Sequence, residues 1–157
     1  MGYRIRLLAP SEDVPAAGQI AAALRAEGFD APVAAAPADA GWESLTVHPA
    51  GQEPIRVQRS LRRGEENRVD EEVDAFLDEL LDLDQTPGVQ QVEDALRRAR
   101  QMIVLDVPEE FPWGAGRTVV DALVEYLADA TEALIQADGE GFYDRMGELL
   151  VPMEWLE

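Results

Sequence analysis

The chain contains no cysteine, which excludes disulfides, thiolate catalysis and Cys-ligated zinc or iron–sulfur sites. It contains no lysine either, since all 13 basic residues are Arg. Histidine occurs once, at His48, so a multi-histidine zinc site and a paired-histidine mechanism are excluded. Serines are few (Ser11, Ser44, Ser60), and none stands in a Gly-x-Ser-x-Gly nucleophile elbow. No apolar run approaches the roughly 18 residues of a membrane span. Tyr3 to Leu8 enters a strand pattern directly, without a secretory apolar stretch, and Arg6 stands where a myristoylation signal needs Ser or Thr. The expectation is a cytoplasmic protein that does not associate with a membrane.

What is abundant is acid. Thirty-two Asp and Glu leave a net charge of −19, a field that repels nucleic acid and anionic lipid and attracts cationic partners. Ten of these acids lie between Glu65 and Asp84, with Arg68 as the single basic residue among them. Arg without Lys, together with many alanines, is also what a GC-rich genome favours, and surface acids are what a salt-adapted proteome carries. At 157 residues and 46% hydrophobic, the chain suits one globular domain spanning 1–157.

Hydrophobic periodicity and breaker residues place the elements. Tyr3-Arg-Ile-Arg-Leu-Leu8 alternates, with Tyr3, Ile5 and Leu7 on one face of a strand. A helix follows, capped by Asp13, carrying Pro15 in its first turn and ending at Gly28 as a C′ glycine, with Phe29 supplying the contact beyond it. Residues 32–35 read as a strand, and 42–61 as an antiparallel hairpin turning at Pro49-Ala-Gly-Gln-Glu53. A charged connector, 62–70, leads to a helix over 71–83 with Val73, Phe76, Leu77, Leu80 and Leu81 on its core face. Thr86 and Pro87 open another helix to Arg100. Gln101 to Val107 is a continuous apolar run suited to a central strand. Pro108 to Gly116 is a loop, Thr118 and Asp121 form a capping box for a helix to Thr131, 134–137 is a strand, 138–141 a glycine turn, and 148–151 a last strand. The expected fold is therefore α+β: a mixed or mainly antiparallel sheet with helices packed on one face.

Few of these segments carry chemistry. Glu71, Asp74, Asp78 and Asp82 fall at i, i+3, i+7 and i+11, one stripe along a helix. Like charges four apart oppose the helix by roughly 0.2–0.5 kcal/mol per pair, and Asp82 and Asp84 sit at its negative end. A stripe carrying such penalties is a candidate surface for a basic partner. The plainer expectation is a solvated face partly neutralised by Arg97, Arg98 and Arg100 on the next helix. Trp113, between Pro112 and Gly114, is a candidate contact anchor.

Asp138, Glu140 and Asp144 occupy positions 1, 3 and 7 of a calcium-like loop. Positions 5, 6 and 12, however, are Phe142, Tyr143 and Leu149, so the pattern fails and no metal site is assigned. Gly114-Ala-Gly116 lacks the third glycine and the Lys-Ser/Thr of a phosphate loop. His48 is expected at the surface near a strand end. Arg56, Arg59, Arg62, Arg63 and Arg68 are expected to act as internal counter-charge rather than as a nucleic-acid face. No cofactor is implied.

One stretch, Tyr126-Leu-Ala-Asp-Ala-Thr-Glu-Ala-Leu-Ile-Gln-Ala-Asp-Gly-Glu-Gly-Phe-Tyr-Asp144, resembles a segment of small acidic bacterial α+β proteins of unassigned function. In these a helix ending LA-x-x-T leads into a strand and a DGEGFYD turn. Comparably small acidic α+β proteins serve as immunity partners of toxins, so the resemblance implies an α+β fold and an immunity-like role without assigning a catalytic residue. Three expectations compete. The first is a non-enzymatic protein engaging a basic protein through Glu71, Asp74, Asp78, Asp82 and Trp113. The second is a carboxylate-dependent enzyme acting on a small molecule, with acids from 138–144 or 108–116. The third is an acidic structural or oligomerising domain. The absence of a heptad run argues against a coiled coil, while a homo-oligomer stays open.

Overall fold

The computed structural model describes residues 3–37, 41–114 and 116–153. Among them the chain forms eight strands and four helices in the order β1 (Tyr3–Ala9), α1 (Ala17–Ala26), β2 (Val33–Ala36), β3 (Ser44–Val47), β4 (Ile55–Leu61), α2 (Arg68–Leu81), α3 (Pro87–Arg98), β5 (Gln101–Val107), α4 (Val119–Thr131), β6 (Leu134–Ala137), β7 (Gly141–Tyr143) and β8 (Leu149–Pro152). All strands join one sheet ordered β2-β3-β4-β5-β1-β6-β7-β8, and every neighbouring pair is antiparallel. The α+β, antiparallel expectation is borne out. No helix is long and apolar enough to cross a membrane among the described residues.

The helices do not share one face of the sheet, which corrects the sequence expectation. Ile5, Leu7, Ile103, Leu105, Val107 and Ile135 point into a core closed by α1 and α4. Leu8, Met102, Val104, Leu134 and Phe142 point the other way, into a second core closed by α2 and α3. The reason is visible in β5, whose residues are buried on both sides except for half-buried Asp106. A strand apolar on both faces needs a layer on each. Towards β4, β3 and β2 the α2/α3 layer gives out, and the sheet there presents Gln58, Arg56 and Thr46 rather than core residues.

Local signals explain most boundaries. Thr118 accepts from the Asp121 N–H while the Asp121 carboxylate accepts from the Thr118 N–H, the expected capping box. The Thr86 side chain caps α3 above Pro87. Gly28, at φ +91°, closes α1: its N–H reaches Arg25 O and that of Phe29 reaches Leu24 O.

Three boundaries differ from expectation. Asp13 does not cap α1, which starts at Ala17. The carbonyls of the preceding segment are occupied from across the fold: Glu12 O accepts from Arg59, Asp13 O from Gln101 at 2.7 Å, and Pro15 O from the Trp42 indole at 2.8 Å. That segment is pinned as an extended strap, and Trp42 is buried beneath it just before β3. At α2 the helix begins three residues earlier than expected, because Asn67 caps it by accepting from the Asp70 N–H. The third difference is β7, which lies within and just beyond the 138–141 turn. Gly141 sits at φ +133°, and an added Cβ would meet Val151 O at 2.1 Å, so this glycine lets two backbones touch.

A similar approach occurs at Gly88 in the first turn of α3, where an added Cβ would lie 2.3 Å from the Leu150 carbonyl oxygen of β8. Helix propensity alone favours Ala over Gly by about 1 kcal/mol. Backbone contact reverses the sign, since β8 must move for α3 to accept a methyl group. Gly88→Ala should therefore lower the melting temperature, by several degrees for a cost of about 1–3 kcal/mol, as read by calorimetry or far-UV circular dichroism. A rise in melting temperature would show that α3 and β8 are not packed backbone to backbone.

Candidate functional site

α2 turns two chemically different sides to its surroundings. Val69, Val73, Phe76 and Leu80 are buried against the sheet, with the Phe76 ring edge-on to Phe142 at 5.3 Å. Glu72 and Glu79 flank this apolar line and look inward at Arg6 of β1. The Arg6 guanidinium donates to Gln136 and Asp138, both at 2.8 Å, lies 3.5 Å from Glu72 and passes over the Phe76 ring. Glu79 is half-buried and one of its carboxylate oxygens has no partner. Burial pushes its carboxyl above the usual range, and the nearby Arg6 opposes that shift.

Glu71, Asp74, Asp78 and Asp82 lie on the opposite, outer side of α2 and are all exposed. Among the described residues none of the four takes part in an ion pair, whereas their neighbours do: Asp70 pairs with Arg62 and Glu72 with Arg6. The expected neutralisation by Arg97, Arg98 and Arg100 is not found. Arg97 approaches Asp94 at 4.0 Å, Arg98 bonds the Asp94 carbonyl, and Arg100 turns to Glu12 at 3.9 Å. Arg97 and Arg98 lie on the exposed side of α3, whose inner face is taken by Val89, Val92 and Leu96, and Arg100 lies beyond the helix end. Leu81, expected in the core, is 71% exposed at the end of the acidic face.

Of the basic cluster of β4 and its connector, Arg59, Arg62 and Arg63 are engaged inside the molecule, whereas Arg56 and Arg68 form no ion pair among the described residues. Arg59 holds Gln101 and the Trp42 and Glu12 carbonyls. Arg62 pairs with Asp70 and donates to the Leu96, Arg97 and Ala99 carbonyls at the C-terminal end of α3, where a cation is favoured. Arg63 pairs with Glu12 and draws its carboxyl below the usual range.

Trp113 does not join the acidic stripe. It stands in the β5–α4 loop, 50% exposed, edge-to-face with Phe111 at 4.6 Å and with Tyr3 at 6.0 Å. Those two rings belong to the α1/α4 side of the sheet, so tryptophan and stripe lie on opposite faces. Beside Trp113 lies Glu140, which the sequence placed in the glycine turn, at the third position of the calcium-like loop. Both Tyr3 and Tyr143 donate their hydroxyls to its carboxylate, Tyr143 at 2.6 Å. The three carboxylates of the calcium-like motif thus diverge: Asp138 goes to Arg6, Glu140 to the two phenols, and Asp144 to the Met146 and Glu148 N–H groups. No group of three or more potential metal ligands gathers among the described residues.

A cavity of about 470 Å³ opens between α3, β6 and the β7–β8 turn. Leu8, Ala95, Leu134 and Leu150 form its apolar lining, and Arg98 and Arg145 its basic one. Arg145 is held at 3.1 Å by Glu132, whose backbone is left-handed at φ 55°. No protein-family model, curated protein or solved structure matches the chain, so its function is argued from this geometry.

The phenol–carboxylate pair has a measurable titration. The Glu140 hydrogen bond, more than burial, pushes Tyr143 up to about 12, while burial first and Glu140 second raise Tyr3 further. Each phenol keeps its proton to higher pH when folded than when unfolded. Above about pH 10 the native state then binds more protons, and stability falls as pH rises. Glu140→Gln should bring both tyrosinate transitions down in an absorbance titration and flatten the alkaline loss of stability. Unchanged curves would mean the phenols do not share that carboxylate.

Proposed function

We propose that this chain is a non-enzymatic cytoplasmic binding protein whose outer α2 face, Glu71, Asp74, Asp78 and Asp82, holds a basic protein partner in an immunity- or inhibitor-like way. The observation that carries the reading is the clustering of exposed, unpaired acid along one helix face. Arginines reach Glu12, Glu27, Asp70, Glu72 and Asp138, yet the four acids at the centre of the densest acidic run stand exposed without an ion pair among the described residues. Like-charge spacing along α2 is retained at a cost to the helix, as expected of a surface matched to an outside cation. Exposed Leu81 at the end of the stripe offers apolar contact inside that field.

Charge complementarity of this kind speeds association and weakens with salt. The test is affinity capture from the native host at low and high salt, comparing the wild type with Asp74→Asn/Asp78→Asn/Asp82→Asn. A stoichiometric basic protein retained at low salt, released at high salt and lost by the triple variant is the expected result. A partner bound equally by both proteins would remove the stripe from the interface.

The triple variant carries a second expectation. Three repulsive i, i+4 pairs disappear, Asp70/Asp74, Asp74/Asp78 and Asp78/Asp82, so its stability should rise by roughly 0.6–1.5 kcal/mol, measured by urea denaturation at low ionic strength. A destabilised variant would show that these carboxylates support the fold.

A further inference from the structure

Apart from α2, the recess beside Trp113 combines features that bind one kind of ligand. Tyr3, Trp113 and Glu140 line a cavity of about 260 Å³. The Tyr3 and Trp113 rings meet at 85° with centroids 6.0 Å apart, so they form two adjoining walls of a corner. Phe111 backs the indole at 4.6 Å and, being buried itself, fixes its position. Half of Trp113 nevertheless stays open to solvent, so its ring is accessible to a ligand.

The third wall is a carboxylate. Glu140 is anchored at the turn between β6 and β7, with its N–H bonded to Ala137 O at 3.1 Å, and its two oxygens are fixed by the Tyr3 and Tyr143 hydroxyls. Both partners are neutral phenols, which orient the charge without cancelling it. No arginine pairs with Glu140 among the described residues, and the nearby Asp138 is already committed to Arg6. The recess therefore presents electron-rich ring faces and one uncompensated, preoriented negative charge. A cation with apolar bulk meets both, gaining ring-face attraction and a carboxylate at once. A strongly hydrated inorganic ion gains little from the rings, and an anion is repelled.

We propose that the Tyr3–Trp113–Glu140 recess is a binding site for a compact organic cation, either a guanidinium or an alkylated ammonium group. The site stands on the opposite face of the sheet from the α2 stripe and does not depend on that stripe's role. Tyr143 acts as a positioning residue, holding the Glu140 carboxylate towards the rings.

The test follows the Trp113 indole N–H resonance in a ¹⁵N-labelled protein, assigned with Trp113→Phe, at constant ionic strength. The probes are tetramethylammonium, N-acetyl-arginine amide, the neutral isostere tert-butanol, and sodium chloride. Expected is a saturable shift with at least one organic cation and none with tert-butanol or sodium. Glu140→Gln, which keeps the shape of the recess, should weaken that binding about tenfold, and the triple Asn variant of α2 should bind as wild type does. Saturation by only one of the two cations would identify the head group. The proposal is overturned if neither cation saturates, if tert-butanol gives the same response, if Glu140→Gln binds equally well, or if the α2 variant loses binding. The last result would trace the effect to overall acidity.

Discussion

The antiparallel pairing of β1 with β5 is the constraint from which the rest of the molecule follows. Seven residues of each strand face one another, from Tyr3 opposite Val107 to Ala9 opposite Gln101. With apolar residues on both faces, this ribbon cannot be satisfied by one helical layer. α1 and α4 must cover Ile5, Leu7, Ile103 and Leu105, while α2 and α3 cover Leu8, Met102 and Val104. The alternation of side chains along a strand then decides where every charge goes. Arg6, one residue from Ile5, is delivered under α2, and Tyr3, two residues from Ile5, emerges at the rim of the opposite layer.

Charge follows the same logic. In a chain this acidic arginine is a scarce counter-ion, and several of the arginines join elements. Arg62 ties β4 to both α2 and the end of α3. Arg59 and Gln101 clamp the strap before α1, and Arg117 joins Glu27 at the end of α1 to Glu125 of α4. Among the described residues the outer face of α2 and the Glu140 carboxylate both lack an arginine partner, one as an extended stripe and one as a single charge framed by aromatic rings. These are two different kinds of surface, suited to different cations, and the sheet separates them.

Much of the architecture was legible in the sequence. Thr118 with Asp121, Thr86 with Pro87, and Gly28 each marked a helix end through a local mechanism that needs no tertiary information, and the apolar run 101–107 announced a central strand. Legibility failed where a local signal was overruled from a distance. Asp13 is a good capping residue, yet helix α1 starts later because side chains of β3's approach, β4 and β5 take the carbonyls before it. β7 went unseen because Gly141 reads as turn chemistry, although its real role is to let Val151 approach. Of the candidate site residues, the helical spacing of Glu71, Asp74, Asp78 and Asp82 placed them together, and they are together. Nothing in the spacing could show that Trp113 belongs elsewhere.

By itself the sequence determined the elements that carry their own punctuation, the α+β class, the acidic stripe, and the exclusion of cysteine and multi-histidine chemistry. These depend on contacts a few residues apart, or on composition, and so survive reading in one dimension. Tertiary structure alone decided that the helices form two layers, that Arg97, Arg98 and Arg100 leave the stripe unpaired, and that Tyr3, Trp113 and Glu140 meet. Tyr3 and Glu140 are separated by 137 positions. They touch only because β6 pairs with β1 in one register, with Ala137 opposite Ile5, and a shift of one residue would send the tyrosine to the other face of the sheet.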